Sequence, residues 1–323
     1  MPTAVLLALA AAALYGASDF LGGLLSRRTH YALVGLVGQS AAAIGGLAAA
    51  LAVSAHPSMG AIGWGIGAGL GGAVGTLALY RGLSRGRMNV AGPLSAVGAA
   101  GLPIPVDLLS GGEFRGLAVL GVALAIPGIW LVAAQPGKRG GDSAGGAGVV
   151  EGLLAGLGFA ALFVCLGQAG DTAGLWPVAA SQLSAVVVLA VYALAGRRGR
   201  QARAAQPADA TQPVEAAQPV EAARTAGAAR TAGAARTTGA ARVPWAARVP
   251  WAAVWTGVLG VGATVLYFLS TREATLTVSA VITSLYPAFT VALAAVVLRE
   301  RTSLAHAAGL LLCAASVGAF AAG

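Results

Sequence analysis

The sequence predicts an all-α polytopic membrane protein whose ten transmembrane helices form two inverted five-helix repeats. Three observations support this fold class. Of the 323 residues, 57% are hydrophobic and only 10% are charged, whereas charged residues make up about 25% of an ordinary soluble domain. The apolar residues fall into ten blocks, each close to the ~20 residues that cross the hydrocarbon core of a bilayer. In addition, part of the first half recurs 187 residues later in the second half.

The predicted spans follow one another through short polar connections, except for one long connection between the seventh and the eighth. The first span begins near the N-terminus and stays apolar up to Arg27 and Arg28. Because it lacks the basic start of a secretion signal, we expect an uncleaved helix there. The ten spans are residues 3–25, 32–54, 60–80, 89–110, 116–135, 149–169, 174–195, 252–270, 276–298 and 303–321.

Two spans have an unusual composition. The fourth contains several prolines, and each proline frees backbone groups that must find partners inside the protein, because lipid offers none. We therefore expect this span to be kinked and to face the helix bundle. The third span has a stripe of glycines at a strict four-residue spacing, which serves either close helix packing or a face that slides during transport; packing is the commoner use. The prolines are Pro93, Pro103 and Pro105, and the glycines are Gly63, Gly67, Gly71 and Gly75.

Residues 197–250 differ from the rest of the chain. After four arginines, a six-residue repeat runs from Gln212 to Ala253 and includes two copies each of QPVEAA, RTAGAA and RVPWAA. No copy has a helical apolar face, so we expect a disordered loop. Its evenly spaced arginines suit contact with anionic lipid, although neutral expansion of a repetitive coding stretch explains them more simply. The predicted domains are two five-helix units, 1–148 and 149–323, the second of them interrupted by this loop.

The basic residues are distributed unevenly between the two sets of loops. Outside 197–250, the loops that follow odd-numbered spans carry nine Lys and Arg residues, and the other set carries only Arg115 and Arg272. Because basic loops stay in the cytoplasm, we expect a multi-pass protein of the plasma membrane with both termini outside. The net charge of +9 is then a topology signal, and nucleic acid is not an expected partner.

The internal repeat aligns Leu79–Glu113 with Leu266–Glu300 without gaps. The identities fall at the same structural positions in both copies: a Leu-Tyr pair, an Arg six residues after the Leu, and a Glu at the end. Each half has an odd number of spans, so the second half must insert upside down. Inverted repeats of this kind place a substrate site near the membrane midplane, between the halves.

The stretch Tyr286–Gly309 resembles the signature of the EamA-like branch of the drug/metabolite transporter superfamily. The usual form of that signature is a mid-helix proline, then Gly-Glu-Arg, then a helix rich in Gly and Leu; here Pro287 fits, and Arg299 replaces the customary glycine. Residues 112–114 (Gly-Glu-Phe) occupy the same place in the first half, and residues 15–20 resemble the first-helix pattern of the family. The resemblance implies ten helices in inverted repeats and export or exchange of small solutes without ATP. It does not fix the substrate.

Asp19 and Asp107 are the most informative candidates for a functional site. A charged carboxylate in the middle of a span costs about 2.5–3.5 kcal/mol, and burial favours the neutral form of a carboxyl group, which suits loading and release of a proton or cation. Each residue also lies near a span end, where water or a nearby arginine offers a structural explanation. We add polar and aromatic residues at span depth to the predicted substrate or coupling site: Tyr15, Gln39, Tyr267, Thr283, Tyr286 and Pro287.

Other polar side chains at span depth, such as Gln168 and Gln182, suit either a cavity lining or a bridge between helices. The charged corners around Glu113 and Glu300 suit helix ends, so we assign them to structure.

The sequence thus predicts a secondary active transporter, an exporter of small metabolites or drugs that works by alternating access and exchanges its substrate for protons. We expect no enzyme and no cofactor, because the chain has no catalytic triad pattern and no Walker glycine loop. The scattered His and Cys residues predict no metal site. The alternative is a non-transporting membrane scaffold or sensor that uses 197–250 as an arm for a partner. The expected partners are a small-molecule substrate and the lipid bilayer, and both a monomer and a homodimer are compatible with the sequence.

Overall fold

The structure, a computed structural model, describes residues 2–85, 88–111, 116–133, 142–205, 249–298 and 304–322. Every regular element in these ranges is an α-helix. The charged corners at Glu113 and at Arg299, Glu300 and Arg301 lie outside the described residues, as do residues 206–248 of the predicted loop. The helices are α1 Pro2–Ser26, α2 Tyr31–Ala52, α3 Met59–Ser84, α4 Met88–Gly101, α5 Pro103–Leu109, α6 Leu117–Ala133, α7 Asp142–Gln168, α8 Trp176–Ala205, α9 Val249–Glu273, α10 Leu276–Thr283, α11 Tyr286–Leu298 and α12 Leu304–Ala322.

Seven stretches of the described chain are long and apolar enough to cross a membrane. They coincide with the first three and with the sixth to ninth predicted spans. The fourth, fifth and tenth predicted spans correspond to shorter apolar helices, Leu94–Leu109, Gly116–Val132 and Ala307–Phe320. The described part is therefore all-helical and polytopic, and the count of ten spans stays a prediction.

Two of the predicted spans are interrupted. The fourth is divided at Leu102, after which Pro103 begins α5; a proline cannot continue the preceding helical ladder but fits the first turn of a new helix. The break agrees with the expected kink. The ninth span is divided between α10 and α11, and Pro287 lies in the first turn of α11.

Corresponding helices of the two predicted halves run in opposite directions. Gly46 of α2 lies against Gln182 of α8, whereas Gly35 lies against Leu189, so the residue numbers rise along one helix as they fall along the other. The same reversal holds for α6 with α12 and for α4–α5 with α10–α11. An inverted repeat would produce this relation. The contacts are Gly121 with Ser316, Val132 with Gly309, Ser95 with Tyr286, and Asp107 with Thr277.

Glycines bring α3 close to α7. A Cβ atom at Gly71 would lie 2.6 Å from the carbonyl oxygen of Gly158, and one at Gly67 would lie 3.2 Å from Cys165 Sγ. Gly63, the first glycine of the predicted stripe, is exposed with open space around its Cβ position. The stripe therefore packs over its last three glycines rather than all four, and these contacts favour the packing interpretation.

By its contacts the chain divides into two units, one formed by Met1–Ala193 with Pro250–Gly323 and the other by Leu194–Val249. The larger unit contains the helix pairs described above. The smaller unit begins in the last turns of α8. Because α8 continues to Ala205, the helix extends nine residues into the stretch predicted to be a loop.

Candidate functional site

A cavity of about 80 Å³ lies where α1, α2 and α3 meet α7, α8 and α9. Tyr286, at the break between α10 and α11, also lines it. Three helices of each predicted half therefore form its wall. Because a buried water needs roughly 10–15 Å³ on such a measure, the cavity has room for several waters or for part of a small solute.

A chain of side-chain hydrogen bonds crosses the cavity through four helices. The Gln39 amide of α2 donates to Gln182 Oε1 of α8. Gln182 Nε2 donates in turn to the hydroxyl of Thr264 on α9 at 3.2 Å, and that hydroxyl lies 2.8 Å from the hydroxyl of Tyr15 on α1. Since Thr264 donates its own proton to the Gly260 carbonyl, Tyr15 is the donor to Thr264. The network links the two predicted halves across the cavity.

Asp19 supplies the only charged side chain that lines the cavity within the described ranges. It lies one turn beyond Tyr15 on α1 and shares the cavity wall with Tyr80 and Tyr286. No hydrogen bond or ion pair reaches its carboxylate from the described residues. An unpaired carboxylate away from bulk water is unfavourable unless a proton or a cation compensates it.

Aromatic rings form much of the cavity wall. The Phe159 ring meets the Tyr286 ring edge to face, with centroids 6.3 Å apart and an interplanar angle of 78°. The centroids of Tyr15 and Phe163 are also 6.3 Å apart, and the ring of Tyr80 completes the set. The wall thus combines one carboxylate with five aromatic rings.

At one end of the cavity, α9 packs against α7. Tyr267 is fully buried, its hydroxyl donates to the Phe163 carbonyl at 2.8 Å, and the two rings are 4.5 Å apart. Just beyond, the guanidinium of Arg272 lies 4.0 Å from the centroid of the Phe268 ring. By the predicted topology this end faces the outside.

The equivalent residues of the first half lie at the opposite end. Tyr80 packs its ring against Gly22 of α1. Glu151, which is buried near the start of α7, forms ion pairs with Arg81 Nε at 3.3 Å and Arg85 Nη1 at 3.1 Å. In the predicted repeat, Tyr80 and Arg85 match Tyr267 and Arg272, so one matched tyrosine and one matched arginine lie toward each end of the cavity.

Comparison with known proteins addresses the second half directly. Residues 232–321 match the model of the EamA-like transporter family. The matched residues include α9 to α12, and the match confirms the EamA-like resemblance predicted from Tyr286–Gly309. Among curated proteins the comparison found no match.

The whole chain also has the fold of a solved structure. A protein whose title reads only "Crystal structure of protein" aligns over 98% of this chain and 96% of its own, with a TM-score of 0.66 at 15% identity. At that identity the likeness concerns the fold alone. The apolar helices indicate a multi-pass membrane protein, and residues 232–321 are similar to the EamA-like transporter family.

Four of the residues predicted for the site line the cavity: Tyr15, Asp19, Gln39 and Tyr286. The Tyr286 hydroxyl also lies 2.9 Å from Ser95 Oγ of α4, which orients the phenol at the break between α10 and α11. Tyr267 does not line the cavity and instead joins α9 to α7 next to Phe163, which does.

The other three predicted site residues lie away from the cavity. Asp107 accepts a hydrogen bond from the backbone N–H of Thr277 at 3.0 Å, so it caps the N-terminus of α10, where a carboxylate satisfies a free N–H and favours the helix dipole. Thr283 is buried, with its hydroxyl 3.5 Å from the Ala8 carbonyl. Pro287 belongs to the first turn of α11. We therefore interpret all three as structural.

Several groups in or near the cavity were not among the predicted site residues, and Glu151 and Thr264 are two of them. Glu151 is an acid just inside the sixth predicted span, so the argument that identified Asp19 also applied to it. Thr264 gave no such signal, because a lone hydroxyl in an apolar span is common and bonds readily within its own helix.

Proposed function

We propose that this protein is a secondary active transporter that moves small solutes across the plasma membrane by alternating access between two inverted five-helix halves. The observation that carries this proposal is the cavity between α1–α3 and α7–α9, which the polar network from Gln39 to Tyr15 crosses. The EamA-like match over residues 232–321 supports a transporter of the drug/metabolite type. A scaffold or sensor would need neither the cavity nor its polar network, so that alternative is not favoured.

In the proposed cycle the two ends of the cavity open in turn. Opening the outer end requires α9 to separate from α7, which breaks the hydrogen bond from Tyr267 to Phe163. When the opposite end closes, the first-half residues around Tyr80 would form the closing contact there. Small residues at the helix interfaces, such as Gly71 against Gly158, allow close helix contacts without long side chains that must be rearranged.

We further propose that Asp19 couples the cycle to protons and that the direction is export. The carboxylate lines the cavity, and no cationic side chain of the described residues lines it too. It can therefore take up a proton from one side of the membrane and release it on the other. A solute that binds at the carboxylate displaces the proton. An inward proton gradient then drives solute outward.

The test is exchange in proteoliposomes that contain the purified full-length protein. Vesicles are loaded with a mixture of amines, amino acids, sugars and nucleosides, a pH gradient is imposed, and the lost solutes are identified by mass spectrometry. At least one solute should leave faster than from protein-free vesicles, with the rate reduced in Asp19→Asn. Asp171→Asn, which removes the same charge from an exposed loop, should behave as the unaltered protein. If no solute leaves the vesicles faster than it leaves protein-free vesicles, the transporter proposal is refuted.

A further inference from the structure

Resting on the proposed function, we infer that the cavity is built for a small organic cation, a protonated amine or quaternary ammonium, with Asp19 as its counter-ion and the aromatic wall as its cage. The only charge on the cavity wall, among the residues that the structure describes, is the Asp19 carboxylate. Neither a hydrogen bond nor an ion pair neutralises that carboxylate from within the described chain.

The charge of the wall selects against anionic solutes. No Lys, Arg or His side chain lines the cavity in the described part of the protein. A solute carboxylate or phosphate would therefore lose its hydration without gaining a cationic partner, and it would also meet the charge of Asp19. A solute cation instead replaces lost hydration with a charge-assisted contact to Asp19.

The rings of the wall select for an organic cation in particular. The electron-rich face of an aromatic ring attracts a cation within about 6 Å of its centroid, and cages of several rings recognise quaternary ammonium groups. Asp19, Tyr80 and Tyr286 line the same cavity of about 80 Å³. A cationic head group paired with the carboxylate in so small a space therefore lies among aromatic side chains.

Inorganic cations fit the wall less well. Asp19 is the only carboxylate that lines the cavity within the described ranges, whereas hard cations such as Mg²⁺ and Ca²⁺ need six or more oxygen ligands, carboxylates prominent among them. Within the described ranges, no group of three His, Cys, Asp or Glu residues is placed to hold a metal ion.

The experiment compares cations with neutral molecules of the same shape. The purified full chain in lipid nanodiscs is titrated with choline and with 3,3-dimethylbutan-1-ol, in which carbon replaces the ammonium nitrogen. Benzyltrimethylammonium and neopentylbenzene form a second matched pair. At least one cation should bind about tenfold or more tightly than its neutral partner, since the charge contributes on the order of the cation–π and ion-pair energies.

The Asp19→Asn variant should lose that preference and bind both members of the pair alike, while the exposed-loop variant Asp171→Asn should retain it. Equal binding of cation and neutral partner by the unaltered protein, or failure of both cations to bind, would overturn the inference. So would a cation preference that survives Asp19→Asn. The comparison within the unaltered protein keeps the inference testable if Asp19→Asn does not fold.

Flux measurements separate this inference from the proposed function. Cation-selective binding without exchange in proteoliposomes would support the site and refute transport. Exchange of a neutral or anionic solute, without cation-selective binding, would support transport and overturn the cation assignment.

Discussion

At the scale of single residues, Asp19 and Asp107 are both carboxylates within predicted spans, but they have different surroundings. Asp107 receives the Thr277 N–H and so belongs to the start of a helix. Asp19 lines the cavity and receives no hydrogen bond from the described residues. The sequence places both acids at similar depth, so only their partners distinguish a structural carboxylate from a functional one.

The cap role of Asp107 predicts a loss of stability on truncation. Asp107→Ala should lower the free energy of unfolding by about 1 kcal/mol, the usual cost of removing an N-terminal cap, because the Thr277 N–H at the start of α10 loses its acceptor. Asp107→Asn keeps an oxygen acceptor and should cost less. Thermal unfolding of the purified protein in detergent measures both. An Asp107→Ala protein as stable as the unaltered one would contradict the cap role.

The cavity position of Asp19 predicts a change in pH dependence. An asparagine cannot carry a proton, so Asp19→Asn should remove the response of solute exchange to an imposed pH gradient. The titratable groups that act with Asp19 are Tyr15, Tyr80 and Tyr286, and phenols ordinarily titrate near pH 10, outside the tested range. Exchange rates in proteoliposomes between pH 6 and 8 provide the measurement, with Asp171→Asn as control. If the exchange rate of Asp19→Asn depends on pH as that of the unaltered protein does, Asp19 does not couple exchange to protons.

The sequence could identify Asp19, Tyr15, Gln39 and Tyr286, because a charged, amide or phenolic group within an apolar span needs a polar partner or a cavity. It could not assign Thr264 to the cavity, or Thr283 to a helix contact. Both are hydroxyls in apolar helices, and their roles depend on the rotation of each helix. In lipid the outer face of a helix is as apolar as the inner face, so the pattern of polarity does not reveal that rotation.

At the scale of elements, a proline follows each of the two helix breaks, but the two prolines do not align with each other in the repeat. In the gapless repeat, Pro287 matches Ala100 and not Pro103. Each break lies just before its own proline: at Leu102 in the first half, and at residues 284–285 in the second. The backbone thus follows the local proline chemistry rather than the repeat alignment. The sequence therefore predicted a kink in the fourth span but not the separation of the ninth into two helices.

The contact between α3 and α7 gives a matched pair of glycine variants. Gly71→Ala should lower the free energy of unfolding by about 1–3 kcal/mol, the usual cost of overpacking, because its Cβ would meet the Gly158 carbonyl oxygen at 2.6 Å. Gly63→Ala, two turns earlier in the same stripe, meets nothing within 4 Å and should leave stability unchanged or slightly higher, since alanine favours the helix. Thermal unfolding in detergent compares the two. Equal effects at both positions would show that the stripe does not act through packing.

At the scale of the whole molecule, the antiparallel helix pairs and the distribution of basic residues bear on orientation. With ten spans and basic loops inside, we expect both termini outside the cytoplasm. A reporter that works only in the cytoplasm should be inactive when fused after Gly323. The same reporter inserted in the basic connection after α1, beside Arg27 and Arg28, should be active. If the fusion at Gly323 is active, either the orientation is the reverse of the predicted one or the number of spans is not ten.

The single carboxylate on the cavity wall also has an electrical consequence. Moving one elementary charge across a membrane potential of 100 mV involves about 2.3 kcal/mol. Suppose that the cavity switches from one side of the membrane to the other only when a proton or a monovalent organic cation neutralises Asp19. Each half of the cycle then moves no net charge across the membrane. Exchange should then respond to a pH gradient and be indifferent to voltage. Imposing a potassium diffusion potential with valinomycin should leave the exchange rate unchanged, whereas a rate that follows the voltage would require a second charge to move with the solute.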